Sequence, residues 1–205
     1  MSSKPGDFLI GVGEFIGILL PGSVVAYVSV PALRQLATEY GLPPLDGTAG
    51  WIAIVVMAYI GGHLVFLIGS FLDKPYDWIR RRYLARENDH AYQIATRLAR
   101  QQVGSGFDAM NTYKFATATL VLHHGAAHAE VKQFEADSKF FRSLVVVGLG
   151  IIALAVRELN IWLALGAALG TVMCTWRYVE QRWKATHRAY EYVVMIYGSG
   201  NGGTA

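Results

Sequence analysis

The chain has 205 residues, of which 53% are hydrophobic and only 16% charged, with a formal net charge of +3. Soluble domains carry about 25% charged residues, so this composition excludes an ordinary water-soluble globule and points to an integral membrane protein. The single cysteine, Cys174, excludes an internal disulfide and any cysteine-based zinc site, and it implies no oxidising compartment.

The first predicted element is a span over Phe8 to Val30, whose one charge is Glu14. At 1.5 Å per residue the run crosses a hydrocarbon core of ~30 Å. It is too long, and its leading MSSKPGD too evenly charged, for a cleaved signal peptide, so a retained span is expected. Pro21-Gly22 sits mid-span and predicts a kink or unwinding, read either as a hinge or as a feature that membrane helices tolerate. A short outer loop over residues 31–50 carries the turn-forming GLPPLDGTAG. The second span is Trp51 to Leu72, with His63 near its middle.

A polar segment follows. Residues 73–102 read as helix, with Ile79, Tyr83, Ala91, Ile94 and Leu98 at helical spacing. VGSGFD (103–108) breaks it, and a second helix is predicted from Ala109 to Arg142. Its seam is Ala116, Leu120, His123, Ala127, Val131, Phe134, Ser138 and Phe141. Two apolar blocks come next, Leu144 to Val156 and Ile161 to Met173, separated by RELN (157–160). Lengthened by Phe140-Phe141 and by Cys174 to Trp176, they predict a transmembrane hairpin. The last helix carries a heptad seam of Trp176, Val179, Trp183, Thr186, Tyr190, Val193 and Tyr197, and GSGNGGTA ends it as a flexible tail.

The expected fold is therefore all-α: four transmembrane helices with helical cytoplasmic extensions forming a bundle. Residues 1–72 hold the first two spans and the outer loop, and 73–142 form the cytoplasmic helical region. Residues 143–176 form the transmembrane hairpin, and 177–205 the cytoplasmic C-terminal helix and tail. Orientation follows from Lys and Arg. Residues 73–142 carry eleven of the eighteen and the tail after Trp176 four, against Arg34 and Arg157 in the two opposite loops. Both termini and the middle segment are expected in the cytoplasm, with the chain in a bacterial inner membrane.

Polar residues at depth are costly and mark function candidates. Glu14 reads as lining a water-filled vestibule or pore, or as a carboxylate reaching the interface or a neighbour. Pro21, Gly22 and His63 complete the pore or gating candidates, with His63 read also as a packed, hydrogen-bonded residue. The pairs Gly13/Gly17, Ala58/Gly62 and Gly166/Gly170 allow close helix approach, within one chain or between subunits.

The cluster Arg80, Arg81, Arg82 and Arg86 reads first as a topology and lipid-anchoring signal. It reads second as an anion site, because guanidinium forks beside Tyr76, Trp78 and Tyr83 suit phosphates and stacked bases. Arg97, Arg100, Lys114, Arg182 and Arg188 extend that surface if the cytoplasmic helices pack together. Eight acidic residues share segment 73–142, which disfavours duplex binding.

LVLHHGAAHAEV (120–131) places His124, His128 and Glu135 at i, i+4 and i+11, with His123 in the seam. Two histidines at i, i+4 can share a metal, but zinc takes three or four ligands and Glu135 lies too far along a straight helix. His124 and His128 are thus weak metal candidates, and His90 and His187 have no specific support. The favoured reading is an oligomer contact formed by His123, His124, His128, Trp183 and Tyr190. No Walker A, GxSxG or HExxH sequence occurs, so no enzyme and no cofactor is expected.

The layout resembles small multi-pass membrane effectors of bacterial anti-phage systems that signal through nucleotides or oligonucleotides. The likeness spans the whole chain and is one of arrangement, without a diagnostic motif, so no residue role carries over. It implies self-assembly in the bilayer, a nucleotide or single-stranded oligonucleotide ligand on the cytoplasmic bundle, and an ion channel as output. The alternatives are a non-conducting scaffold that docks a cytosolic protein through the C-terminal heptad and, behind it, a histidine-dependent metalloenzyme.

Overall fold

Among the described residues, the apolar runs and most of the polar sequence between them fold as helices. The computed structural model describes residues 5–41, 47–83, 89–104 and 111–200, and the side chains of 5–14, 16, 79–83 and 199–200 lie outside the description. Among the described residues there is no strand. In chain order the helices are α1 (Pro5–Glu39), α2 (Gly47–Gly69), a 3-10 turn (Ser70–Leu72), α3 (Asp73–Tyr83), α4 (His90–Val103), α5 (Thr112–His123), α6 (Gly125–Arg157) and α7 (Ile161–Gly200).

Three helical stretches are long and apolar enough to cross a membrane: Gly17–Glu39, Gly47–Trp78 and Gly125–Arg157. The chain therefore reads as a membrane protein. The expected fourth span, which opens α7, is not among them. Its apolar run is short, ending at Trp176 just before Arg177.

The chain divides into two compact units. The apolar unit comprises Gly11–Asp73 and Ala136–Tyr178, and the polar unit comprises Met1–Ile10, Lys74–Glu135 and Val179–Ala205. Helices α6 and α7 contribute to both.

Glycines set the packing of the apolar unit. A Cβ on Gly22 would lie 1.8 Å from the Ala58 carbonyl oxygen and 2.6 Å from the Gly62 amide nitrogen. A Cβ on Gly62 would lie 2.2 Å from the Ile18 carbonyl oxygen. Backbone thus meets backbone where α1 crosses α2, the contact that small residues permit in lipid. Helix α1 stays helical through Pro21 and Pro31, so the expected unwinding at Pro21-Gly22 does not occur. Pro21 is fully buried beside that crossing. The RELN turn joins α6 to α7 as expected. Asn160 caps α7 by accepting from the Leu163 amide at 3.1 Å, and Leu159 takes a left-handed φ of 53°. Gly148 faces Thr171 across this hairpin, where a Cβ would meet the Thr171 hydroxyl at 2.2 Å.

The polar unit is built on a helical core. Ala95, Ala99, Phe115, Ala116, Leu120, Val131, Ala189, Tyr190 and Val193 are buried together, drawn from α4, α5, α6 and α7. Small alanines on α4 and α7 let these helices approach, and Leu120 and Val131 fill the centre. The single helix expected over 109–142 is in fact two. His124 leaves the helical region (φ −144°, ψ 81°) between α5 and α6. Gly125, which costs about 1 kcal/mol against alanine inside a helix, makes this the cheap place to break. The break lets Phe115, Ala116 and Leu120 of α5 share one core with Val131 of α6.

Candidate functional site

The polar unit carries one surface with the chemistry of an anion site. Helix α4 is amphipathic: Ala91, Ala95, Leu98 and Ala99 face the core, and Gln93, Arg97 and Arg100 face outward. Asp89 starts the helix by accepting from the Tyr92 amide at 3.0 Å. The Thr96 and Thr112 hydroxyls share a hydrogen bond of 3.0 Å, which pins α4 to the start of α5. Along this outer face runs an open groove of about 460 Å³ lined by Tyr92, Gln93, Thr96, Arg97, Arg100 and Gln101. Among the described residues its lining holds two guanidinium groups, two carboxamides, a hydroxyl and a phenol ring, and no carboxylate. Arg97 is exposed and makes no ion pair with any described residue. Paired guanidinium donors bind phosphate oxygens, and an adjacent ring offers a stacking face for a base.

The other basic candidates whose side chains are described do not line this groove. Lys114 is exposed on α5 outside its lining. Arg182 lies over the Tyr76 ring at 5.2 Å, and Arg188 pairs with Glu191 at 3.0 Å. The side chains of Arg80, Arg81 and Arg82, and the whole of Arg86, lie outside the described residues.

The histidine row is not a row. His123 and His124 are exposed at the α5–α6 break, so His123 is not in the seam and His124 does not continue the line of His128 and Glu135. Glu135 is engaged locally, accepting from the Tyr113 hydroxyl at 2.5 Å and from the Lys132 ammonium at 2.7 Å. Among the described residues no group of three or more His, Cys, Asp or Glu is placed to hold a metal. His187 stacks on Trp183 (4.8 Å, 12°) and lies 3.6 Å from Asp89 and 3.3 Å from Glu191. Tyr190, expected at an oligomer contact, is buried in the core against Tyr92 and Tyr113. Thr186 and Val193 are buried too, so much of the α7 heptad seam is consumed within its own unit, while Trp176 and Trp183 are exposed.

Two tyrosine hydroxyls are raised above the ordinary tyrosine range. Burial and the hydrogen bond to Glu135 push the Tyr113 hydroxyl far above the ordinary tyrosine range. The hydrogen bond to Glu130, aided by burial, raises Tyr192.

In the apolar unit, a charged cluster that the sequence reading did not single out joins three helices. Arg142 of α6 donates to Asp73 at 2.6 Å, and the Tyr178 hydroxyl of α7 donates to the other carboxylate oxygen at 2.7 Å. The Arg142 guanidinium sits 5.0 Å from the Phe66 ring centroid, and its Nε finds no acceptor among the described residues. A cavity of about 190 Å³ lies nearby in the same unit, lined by Gly17, Ile18, Phe66, Ala136, Lys139 and Phe140. The Glu14 side chain is outside the described residues. Gly22 packs against the α2 backbone, and Pro21 beside it is buried. His63 is exposed, with Tyr59 edge-on to it at 4.6 Å.

No protein-family model matches the chain, and no curated protein or solved structure is similar enough to match it. The reading of function therefore rests on geometry.

Proposed function

We propose that the chain is an oligomeric effector of the bacterial inner membrane, in which an anionic ligand on the polar helical unit gates an ion-conducting path. The ligand is of nucleotide or single-stranded oligonucleotide type, and the biological role is anti-phage defence. The observation that carries this reading is the groove on α4, with Arg97 and Arg100 on one face and no carboxylate among its described lining residues. The apolar start of α7 serves as a fourth span. Its RELN turn then lies outside, and both termini and the polar unit lie in the cytoplasm, a placement the distribution of Lys and Arg supports.

Coupling runs through α6 and α7, which supply residues to both units. A ligand that favours one packing of α4 against these helices shifts the membrane segments by the difference in its affinity for the two states. Four helices enclose no wide pore, so conduction requires several copies.

The test is ion flux from vesicles reconstituted with the purified full chain, challenged with mononucleotides, cyclic dinucleotides and short single-stranded oligonucleotides. Flux that rises with one of these and is lost in Arg97→Glu with Arg100→Glu supports the reading. Silence under every such ligand, with the chain correctly inserted, overturns it and favours the non-conducting scaffold.

A further inference from the structure

Helix α2 has two faces of opposite character. Ala58, Gly62, Val65 and Gly69 are buried, and Gly22 of α1 seats on Ala58 and Gly62. The opposite face carries Val56, Tyr59, Ile60, His63 and Leu67, all exposed. Four of these five suit lipid, but His63 does not. It lies about 18 Å along the helix from Trp51, near the midplane of a ~30 Å core. An ionisable side chain at that depth ordinarily faces a bundle interior or a polar partner, since hydrocarbon satisfies neither ring nitrogen. Within the described residues its one partner is the Tyr59 ring, set nearly perpendicular to it, and neither side chain makes a hydrogen bond.

We infer that this face of α2 is a subunit interface, covered by the same face of a second copy of the chain, with His63 and Tyr59 hydrogen-bonded across it. The chemistry selects a second copy. A tyrosine hydroxyl donates and a neutral imidazole nitrogen accepts, so one turn of helix carries both halves of the bond. A two-fold axis between parallel α2 helices brings each Tyr59 toward the partner's imidazole, and both bonds form at once. The flanking Val56, Ile60 and Leu67 supply the apolar contact at the spacing of a helix seam. Lipid offers no donor or acceptor at that depth. The inference rests on the oligomer of the proposed function and assigns the surface that builds it.

The test uses the full chain in its membrane. In a Cys174→Ser background, Val56→Cys, Ile60→Cys, Leu67→Cys and, on the buried face, Val65→Cys are oxidised in reconstituted vesicles. The expected result is covalent dimer from the first three and little from Val65→Cys. His63→Leu lowers the Leu67→Cys dimer yield about eightfold, the scale of two interhelical hydrogen bonds in lipid, and His63→Asn restores most of it. Equal cross-linking from both faces overturns the inference, as does a yield indifferent to His63→Leu. If His63→Leu fails to insert, the four-position pattern decides alone. The mass of the particle in nanodiscs separates the two levels. An oligomer without cross-links on this face sinks the interface and leaves the proposed function standing, and a monomer sinks both.

Discussion

Arg142 and Asp73 are 69 residues apart in the chain and joined by a 2.6 Å ion pair. Each is the charge that bounds an apolar run: Asp73 follows Leu72, and Arg142 precedes the run that begins at Leu144. The pair thus fixes the end of the α2 stretch to α6 at one level, with Tyr178 of α7 as third member. The Arg142 side chain is only 5% exposed and that of Asp73 27%. Burying such a pair is costly, but breaking it costs more, because one charge is then left without its partner.

Asp73→Ala is therefore expected to destabilise the apolar unit by about 3 kcal/mol, the scale for an orphaned buried charge. Asp73→Leu combined with Arg142→Met removes both charges and is expected to recover most of that loss. Thermal unfolding of these two variants and the wild type in one detergent is the measurement. A cost for Asp73→Ala no larger than that of an exposed surface change overturns the assignment.

The α1–α2 crossing makes a sharper geometric claim. A Cβ on Gly22 falls inside contact distance of main-chain atoms, which cannot swing aside. Gly22→Ala is expected to force the two helices apart at a cost of about 1–3 kcal/mol, as overpacking does. Gly166→Ala and Gly170→Ala meet nothing within 4 Å and are expected to be neutral or slightly stabilising. Folded yield after detergent extraction separates the two outcomes. Equal behaviour of all three substitutions contradicts the crossing.

Much of this was legible from periodicity, and the failures have physical causes. Leu120, Val131, Tyr190 and Val193 fell on the predicted seams because core positions on a helix recur every three or four residues. The break at His124 left no trace in that pattern. Ala116, Leu120, Ala127 and Val131 keep one phase across it, and Gly125 was the sole local marker. His123 inherited a core position from that phase, and the turn swings it outward. The groove on α4 was visible only as Arg97 and Arg100, because its lack of carboxylates depends on which residues share the face. The Arg142–Asp73 pair required knowing that two distant apolar runs end at one level. The signal was present in the matching boundaries, but sequence spacing alone does not pair them.

Tyr113 gives a pH dependence with a definite sign. Its hydroxyl is held above the ordinary range in the folded chain, first by burial and then by Glu135. The unfolded chain ionises at about 10, so the contribution is complete below that pH and is lost as pH rises further. Tyr113→Phe is expected to cost about 1 kcal/mol at neutral pH through the lost hydrogen bond and to flatten the stability loss on the alkaline side. Denaturant unfolding of the two proteins at stepped alkaline pH measures this. Parallel pH profiles show that Tyr113 is not protected as described.

The groove on α4 makes the last claim, and it separates two kinds of basic residue. Arg97 and Arg100 line one groove, whereas Lys114 and Arg188 lie outside its described lining. Arg97→Glu with Arg100→Glu is expected to weaken binding of a fluorescent single-stranded oligonucleotide by at least about a hundredfold, since charge-assisted hydrogen bonds are worth about 1.5–3 kcal/mol each. Lys114→Glu and Arg188→Glu are expected to change it by less than about threefold, as distant surface charges do when screened. Raising the salt from about 50 to 200 mM should lower the wild-type affinity steeply and the double variant's hardly at all, because the released counterions belong to the phosphates those two arginines hold. Equal loss across all four positions identifies a diffuse electrostatic effect and not a groove. Binding retained by the double variant moves the ligand site off α4.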